Sequence, residues 1–264
     1  MRRLVTVLFL VALCPLQACG MQYSAEPIEA WVIDAETNQP LEGVIVVAHW
    51  QLYGGLHPDN AGELTILETV TDKAGRFNFP AWGPKALPSG APSNARLTFL
   101  DPEILIFKIG YTHQRVANEL TSDALKNQGP PLRRSRWNGK KIKMEKLDKL
   151  TLKDLDDLNG DLKFLLRNPE NCNWRYVPKT ILAIRDSRLE LAKNGIRPAG
   201  WSTLDEDLIE NSRHYASKGG AMCGSPRDMF KGPAKSKCTH DFCRFQYCSS
   251  PFPSIHTRSI PIES

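Results

Sequence analysis

No bilayer-spanning segment opens this 264-residue chain: its apolar run, Leu4 to Leu13, falls short of the roughly 20 residues that a spanning helix needs. A strong charge of either sign is missing too. Lys and Arg number 34 against 29 Asp and Glu, a formal net charge of +5, which excludes the concentrated basic face of a nucleic-acid binder. The signatures of the common hydrolases are absent. None of the six histidines is followed three residues later by Glu, and there is neither a His-Glu-x-x-His nor a Gly-x-Ser-x-Gly. Those absences exclude the corresponding zinc-peptidase and serine-hydrolase centres. No internal repeat is present, so a stacked-repeat architecture is excluded. There is also no Cys-x-x-Cys pair, the close ligand spacing that zinc knuckles favour.

What is present begins with a targeting segment. Met1-Arg2-Arg3 is a positive n-region and Leu4 to Leu13 an apolar h-region. Leu16-Gln17-Ala18-Cys19 then resembles the lipobox of bacterial lipoproteins, with Gln17 where that motif usually has a small or apolar residue. The resemblance implies that residues 1–19 are a lipoprotein signal peptide and that Cys19 becomes the lipidated first residue of the mature chain. Several acyl chains on one cysteine hold firmly where a single chain is marginal. Gly20 rather than Asp at the next position implies, by the sorting rule of Gram-negative lipoproteins, an outer-membrane anchor facing the periplasm. The alternative is an ordinary secretory signal cut near Ala18. Either route exports the protein from the cytosol to a place where disulfides persist.

Residues 20–26 read as a short polar tether. From Ile28 the period is two: Ile28, Ala30 and Val32 share one face, Trp31 and Ile33 the other. On the next run Val44, Val46, Ala48 and Trp50 face one way, and Ile45, Val47 and His49 the other. Apolar residues on both faces predict a strand covered on both sides, or one whose second face meets helices further along. Tyr53 to Gly62 reads as a loop, Leu64 to Thr71 as a strand and Asp72 to Gly75 as a tight turn. Arg76 to Phe79 alternates, with Phe77 and Phe79 inward. Pro80 to Asn94 is an expected irregular excursion. Arg96 to Phe99, Glu103 to Ile109 and His113 to Val116 follow as strands, with Gly110-Tyr111 a bend. The polar stretch Asn118 to Asn138 precedes a closing strand at Ile142 to Leu147.

This block is similar to the carboxypeptidase regulatory-like domain. The family's pattern is a first strand, Asp-x-x-Thr-x-x-Pro-Leu-x-Gly-Val, then Thr-Asp-x-x-Gly-x-Phe, then a late Gly-Tyr. Asp34, Thr37, Pro40, Leu41, Gly43 and Val44 meet the first part; Thr71, Asp72, Gly75 and Phe77 the second; Gly110 and Tyr111 the last. The chain departs from the pattern with Ala30 in place of a frequent Gly and with a long insertion between Phe79 and Leu105. Over residues 26–148 the resemblance implies a mainly β fold, a transthyretin-like antiparallel β-sandwich. Such domains are commonly non-catalytic accessory modules of exported proteins.

Residues 150–218 read as a small α-helical extension. Thr151 and Asp154 form an expected capping box ahead of Leu155, Leu158, Leu162, Leu165 and Leu166 at helical spacing. Gly160 weakens that helix by about 1 kcal/mol relative to Ala. Pro178 opens a second expected helix, carrying Ile181, Ile184, Leu189 and Ala192 and ending at Gly195. A third runs from Ser202 or Thr203 to about Lys218. Residues 219–264 read as a Cys-rich loop tail with little apolar matter to pack, which needs staples.

Cys172, Cys223, Cys238, Cys243 and Cys248 are the cysteines of the mature body, an odd number. In an exported chain all five are disulfide candidates, with the pairing open. The alternative is a metal or redox site built from Cys223, Cys238, Cys243 and Cys248 with His240. A further reading takes Tyr53, His57, Tyr111 and His113 as an iron site, because transthyretin-like sandwiches also include ring-hydrolysing and dioxygenase enzymes. His49 is expected to be packed rather than to act as a ligand. The most basic run, Lys126 to Lys149, offers Arg133, Arg134, Arg136, Lys140 and Lys141 to anionic headgroups or glycans, with Trp137 as an aromatic anchor. The alternative for that run is a solvated strand edge. The sequence therefore reads as a non-catalytic envelope lipoprotein, held to the membrane by its lipid and binding a protein or glycan partner. It needs no cofactor and touches no nucleic acid. A metal-binding or redox accessory protein is the second reading, and an envelope hydrolase or dioxygenase the third.

Overall fold

Alternating side chains build most of the fold. The computed structural model describes residues 21–56, 59–119, 121–162, 164, 172–196, 214 and 223. The chain divides into two units, Met1–Phe230 and Lys231–Ser264, and everything described belongs to the first. The described portion is mainly β, arranged in three sheets. In the first, β1 (Gln22–Ala25) pairs antiparallel with β6 (Trp82–Ala86) and parallel with β10 (Leu132–Arg133). In the second, β2 (Ile28–Asp34) pairs antiparallel with β5 (Arg76–Phe79) and parallel with β11 (Lys141–Met144). The third has β3 (Ile45–Gly54) between β4 (Asp59–Val70) and β8 (Glu103–Phe107). In it β9 (Gln114–Val116) lies outside β8, and β7 (Arg96–Leu97) pairs with the far end of β3.

Four expectations are corrected here. The tether at 20–26 is a strand, because Tyr23 and Ala25 point into the core while Gln22 stays out. Most of the loop expected from Tyr53 to Gly62 is strand: Tyr53 and Gly54 belong to β3 and residues 59–62 to β4, since register shifts absorb the irregular stretch without breaking the pairing. The excursion from Pro80 contains β6, and the polar stretch from Asn118 contains a short helix, α1 (Ser122–Lys126), capped by Thr121.

The period-two faces appear as read. Ile28, Ala30 and Val32 share a core with Val46, Ala48, Trp50, Phe77, Phe79 and Met144. Trp50, 1% exposed, meets Trp82 edge-on with ring centroids 5.1 Å apart. Turn chemistry fixes the ends of these strands. Asp34 Oδ1 accepts from the backbone N–H groups of Glu36 and Thr37 at 3.0 and 2.8 Å, and the Tyr111 hydroxyl donates to Asp34 Oδ2 at 3.1 Å. Asp72 Oδ1 accepts from the Ala74 and Arg76 N–H groups, both at 2.9 Å. Gly75 sits at φ 70°, and a Cβ there would lie 2.4 Å from the Val32 carbonyl oxygen, so only glycine closes this turn.

The second face of β3 does meet helices. Val47, Ile66, Leu105 and Phe107 pack with Leu155 and Leu158 of α2 (Leu152–Asp161) and with Ile181 and Ile184 of α3 (Pro178–Lys193). The Thr151–Asp154 capping box is present, and Pro178 occupies the first turn of α3. Helix α2 stops at Asp161 rather than running on; Leu165, Leu166 and the helix expected from 202 to 218, His214 excepted, lie outside the described residues. A disulfide joins Cys172 to Cys223, with their Cα atoms 5.4 Å apart.

The cap of α3 comes from the sheet. Val177, at the capping position, makes no side-chain cap bond. Instead Glu68 of β4 accepts from the Lys179 N–H at 3.0 Å, the Thr180 N–H at 2.8 Å and the Thr180 hydroxyl at 2.8 Å. A carboxylate at a helix N-terminus satisfies orphan donors and complements the dipole. Glu68→Ala is expected to cost about 1–2 kcal/mol, the usual worth of a lost cap, read as a lower urea midpoint. An unmoved midpoint would show that the cap contributes nothing.

Candidate functional site

Where the helices cover the third sheet, a line of charged side chains crosses from strand to strand. Alternation along β3 puts His49, Gln51 and Tyr53 on the helix-facing side. His49 Nδ1 lies 3.0 Å from Glu63 Oε2 of β4, and His49 Nε2 lies 3.7 Å from Glu103 Oε2 of β8. Glu103 Oε2 accepts from Arg115 Nη1 of β9 at 3.2 Å. Asp161 then approaches Arg115 Nε at 3.6 Å and His113 Nε2 at 3.1 Å. The imidazole of His49 is buried and stacks on Phe164, centroids 4.2 Å apart and planes within 5°.

Burial opposes a charged imidazole, but the charge and hydrogen bond of Glu63, helped by Glu103 and Asp101, outweigh it and hold His49 above its ordinary value. Set between Glu63 and Glu103 and stacked on Phe164, the ring links β3 to β4, β8 and the helical extension. Burial, then the charges of Glu103, Asp101 and Glu63, push the Tyr53 hydroxyl up, so it stays protonated.

Asp101 sits deeper still, fully buried. Its Oδ1 accepts from the Gln51 N–H at 2.8 Å and its Oδ2 from the Thr98 N–H at 3.1 Å. Burial pushes its carboxyl up to about 7, against the pull of Arg133 and these bonds. The consequence for stability has a definite sign. Asp101, raised from 3.8, contributes fully below pH 3.8 and loses that contribution as the pH climbs through about 7. His49, raised from 6.5, contributes fully below 6.5 and loses it at higher pH. Asp34 and Asp72 are held low, chiefly by the backbone N–H groups of Thr37 and Arg76, and act oppositely only below 3.8. The thermal midpoint is therefore expected to fall between about pH 4 and pH 8 at fixed ionic strength. His49→Gln should flatten the upper half of that slope, and a midpoint that rises across the range would contradict the assignment.

In the basic run Arg134, Arg136, Lys140 and Lys141 are exposed, while Arg133 leaves the surface. Arg133 is buried, 2% exposed. Its guanidinium donates to the Pro130 carbonyl at 3.1 Å, to the Asp101 carbonyl at 3.3 Å and to the Thr98 carbonyl. Trp137 is half-buried against the core and donates its indole N–H to the Ala117 carbonyl at 2.9 Å. Arg136 lies over the Trp137 ring and donates to the Asn118 carbonyl at 2.7 Å. Arg134 pairs with Glu26 at 2.8 Å. Lys140 and Lys141 are exposed at the strand edge.

The other sequence candidates divide differently. Tyr53 pairs at the β7 end of β3, whereas Tyr111 follows β8 at the opposite end, bonded to Asp34, and His113 is bonded to Asp161. The proposed iron set is therefore not brought together, and His57 lies outside the described residues. Cys223 of the metal set is joined to Cys172 and offers no thiolate. Cys238, His240, Cys243 and Cys248 lie outside the described residues. Among the described residues no group of three or more His, Cys, Asp or Glu is placed to hold a metal ion. Glu63, Asp101 and Glu103 escaped the sequence reading. For Glu63 and Glu103 the one signal is an acid within a strand; Asp101 lies between β7 and β8 and has none.

Beside Glu63 a cleft of about 250 Å³ opens at the outer edge of β4, lined by residues 63–66, Lys85, Pro88, Asn173 and Tyr176. It draws its floor from the sheet and one wall from the 3-10 turn Asn173–Tyr176 of the helical extension.

No family model matches the chain, and no curated protein matches it. Solved structures similar to it include the 3-chlorocatechol 1,2-dioxygenase of Rhodococcus opacus 1CP, at 18% identity, 50% of this chain, 63% of that one and a TM-score of 0.29. A 9R-lipoxygenase from Cyanothece PCC8801 matches at 13% identity, 68% of this chain, 25% of that one and a TM-score of 0.25. The dioxygenase domain of a dioxygenase carbohydrate-binding protein fusion from Streptomyces sp. SirexAA-E matches at 18% identity, 51% and 84% coverage and a TM-score of 0.22. The chain spans less than two thirds of the first two, and at these TM-scores none of the likenesses carries an argument.

Proposed function

We propose that this chain is an exported, lipid-anchored accessory module of the bacterial envelope, which binds a protein or glycan partner and performs no chemistry of its own. In this reading its β region is a transthyretin-like, carboxypeptidase regulatory-like sandwich over 26–148, extended by helices. The jobs of the signature residues support it: Asp34, Thr37 and Tyr111 tie one turn together, and Thr71, Asp72 and Gly75 another. The titratable side chains of the buried line are engaged with one another, a structural use rather than a reactive one.

The observation that carries the reading is the Cys172–Cys223 bond. Structural disulfides belong to oxidising compartments and are rare in the cytosol, which supports export. The lipid anchor rests on Leu16-Gln17-Ala18-Cys19. Metabolic labelling with palmitate tests it: label is expected on the wild type and gone from Cys19→Ser. Label that survives the substitution would remove the anchor from the proposal. Crosslinked pull-down from intact envelopes should then recover one reproducible partner.

A further inference from the structure

We infer that the cleft at the outer edge of β4 binds one neutral sugar ring, a hexopyranose that is free or the exposed unit of a glycan. The inference rests on the envelope-module reading and names the chemistry of its partner. β4 ends its sheet, and an open edge invites an extended peptide. Here the edge is interrupted. Lys85 Nζ donates to Thr65 Oγ1 at 2.6 Å from one side, and Glu68 is already occupied by the N-terminus of α3. Of this strand the cleft takes only the four residues 63–66, about 13 Å, too short to register a peptide. A compact ligand fits instead, since the volume of about 250 Å³ falls just under the range from roughly 300 Å³ in which drug-sized ligands bind.

The lining decides what kind of ligand. Its one carboxylate, Glu63, is engaged with His49 and its one ammonium, Lys85, is bonded to Thr65, so it favours neither an anion nor a cation. Together with the Thr65 hydroxyl and the Asn173 carboxamide they give the lining both acceptors and donors. Glu63, Thr65 and Asn173 are largely buried, and therefore fixed in place. Tyr176, by contrast, is 57% exposed at the mouth. An open aromatic face beside a polar floor suits a ring with an apolar C–H face and a rim of hydroxyls. One wall follows directly on Cys172, so the disulfide also holds the site's shape.

Ligand-observed NMR titration of the full chain tests this, with glucose, galactose and N-acetylglucosamine as probes and glucuronate and inorganic phosphate as charged comparisons. Saturable binding of at least one neutral sugar is expected, weakened about tenfold or more, roughly 1.4 kcal/mol, by Tyr176→Ala. Lys85→Ala should act in the same direction. Tyr176 is exposed, so its variant keeps the wild-type thermal midpoint and decides the matter even where Lys85→Ala lowers stability. No saturation by any neutral sugar, tighter binding of a charged probe, or undiminished binding by Tyr176→Ala would each overturn the inference. Palmitate labelling at Cys19 reads the envelope proposal separately, so either can fail alone.

Discussion

Replacing Cys172 and Cys223 together by Ala lowers the stability of the helical extension by about 4 kcal/mol, the chain entropy restored by releasing a link across a sequence separation of 51. Cys223 is buried among Trp174, Val177 and Ile181, and its carbonyl accepts from Arg175. The link therefore ties Cys223 to the residue just before the 3-10 turn that leads into α3. Urea unfolding followed by tryptophan fluorescence measures the effect, because Trp174 lies in that cluster. Reductant added to the wild type should reproduce most of the shift. The larger core, built on Trp50, Phe77 and Phe79, is a separate cluster and should keep a later transition. A midpoint indifferent to reductant would show that the bond carries no stability.

Arg133→Met is expected to cost about 3–5 kcal/mol, the range for breaking a buried charged arrangement by removing one partner. The side chain serves three carbonyls at once, those of Thr98, Asp101 and Pro130. Methionine fills much of the space but takes a donor from all three, Asn118 Nδ2 still serving the Asp101 carbonyl at 2.6 Å. Lysine keeps the charge but replaces a planar fork by a point, so Arg133→Lys should recover only a fraction of the loss. The guanidinium also explains Gly129: a Cβ there would lie 1.8 Å from Arg133 Nη1, so Gly129→Ala should destabilise through the same side chain. A loss below about 1 kcal/mol for Arg133→Met, the size typical of an exposed ion pair, would return Arg133 to the surface role its sequence context implies.

Arg133 also marks where legibility ended. Local chemistry was readable: the alternation of Ile28, Ala30 and Val32, the Asp72–Gly75 turn, the Thr151–Asp154 box and Pro178 at a helix start each depend on a few neighbouring residues. The two-faced pattern of β3 even announced a helical layer over Val47. Arg133 was not readable, because it sits among other basic residues and its partners are backbone carbonyls, which any residue supplies. The strand at Tyr23 failed for a related reason. Its burial depends on Leu97 and Gln128, far along the chain, and outweighs its polar neighbours. The cleft was invisible because Glu63, Lys85 and Tyr176 come from three elements with no shared motif.

Strands β2 and β11 run in the same direction, as do β1 and β10. Tension between the start of β1 and the chain leaving β11 therefore pulls these neighbours along their own axes in opposite senses. The rungs Trp31 to Asp34 against Lys141 to Met144 take such a load in shear, all together, where an antiparallel hairpin pulled from its open ends would unzip rung by rung. Parallel pairing at these rungs therefore meets a pull along the chain by loading the hydrogen bonds together.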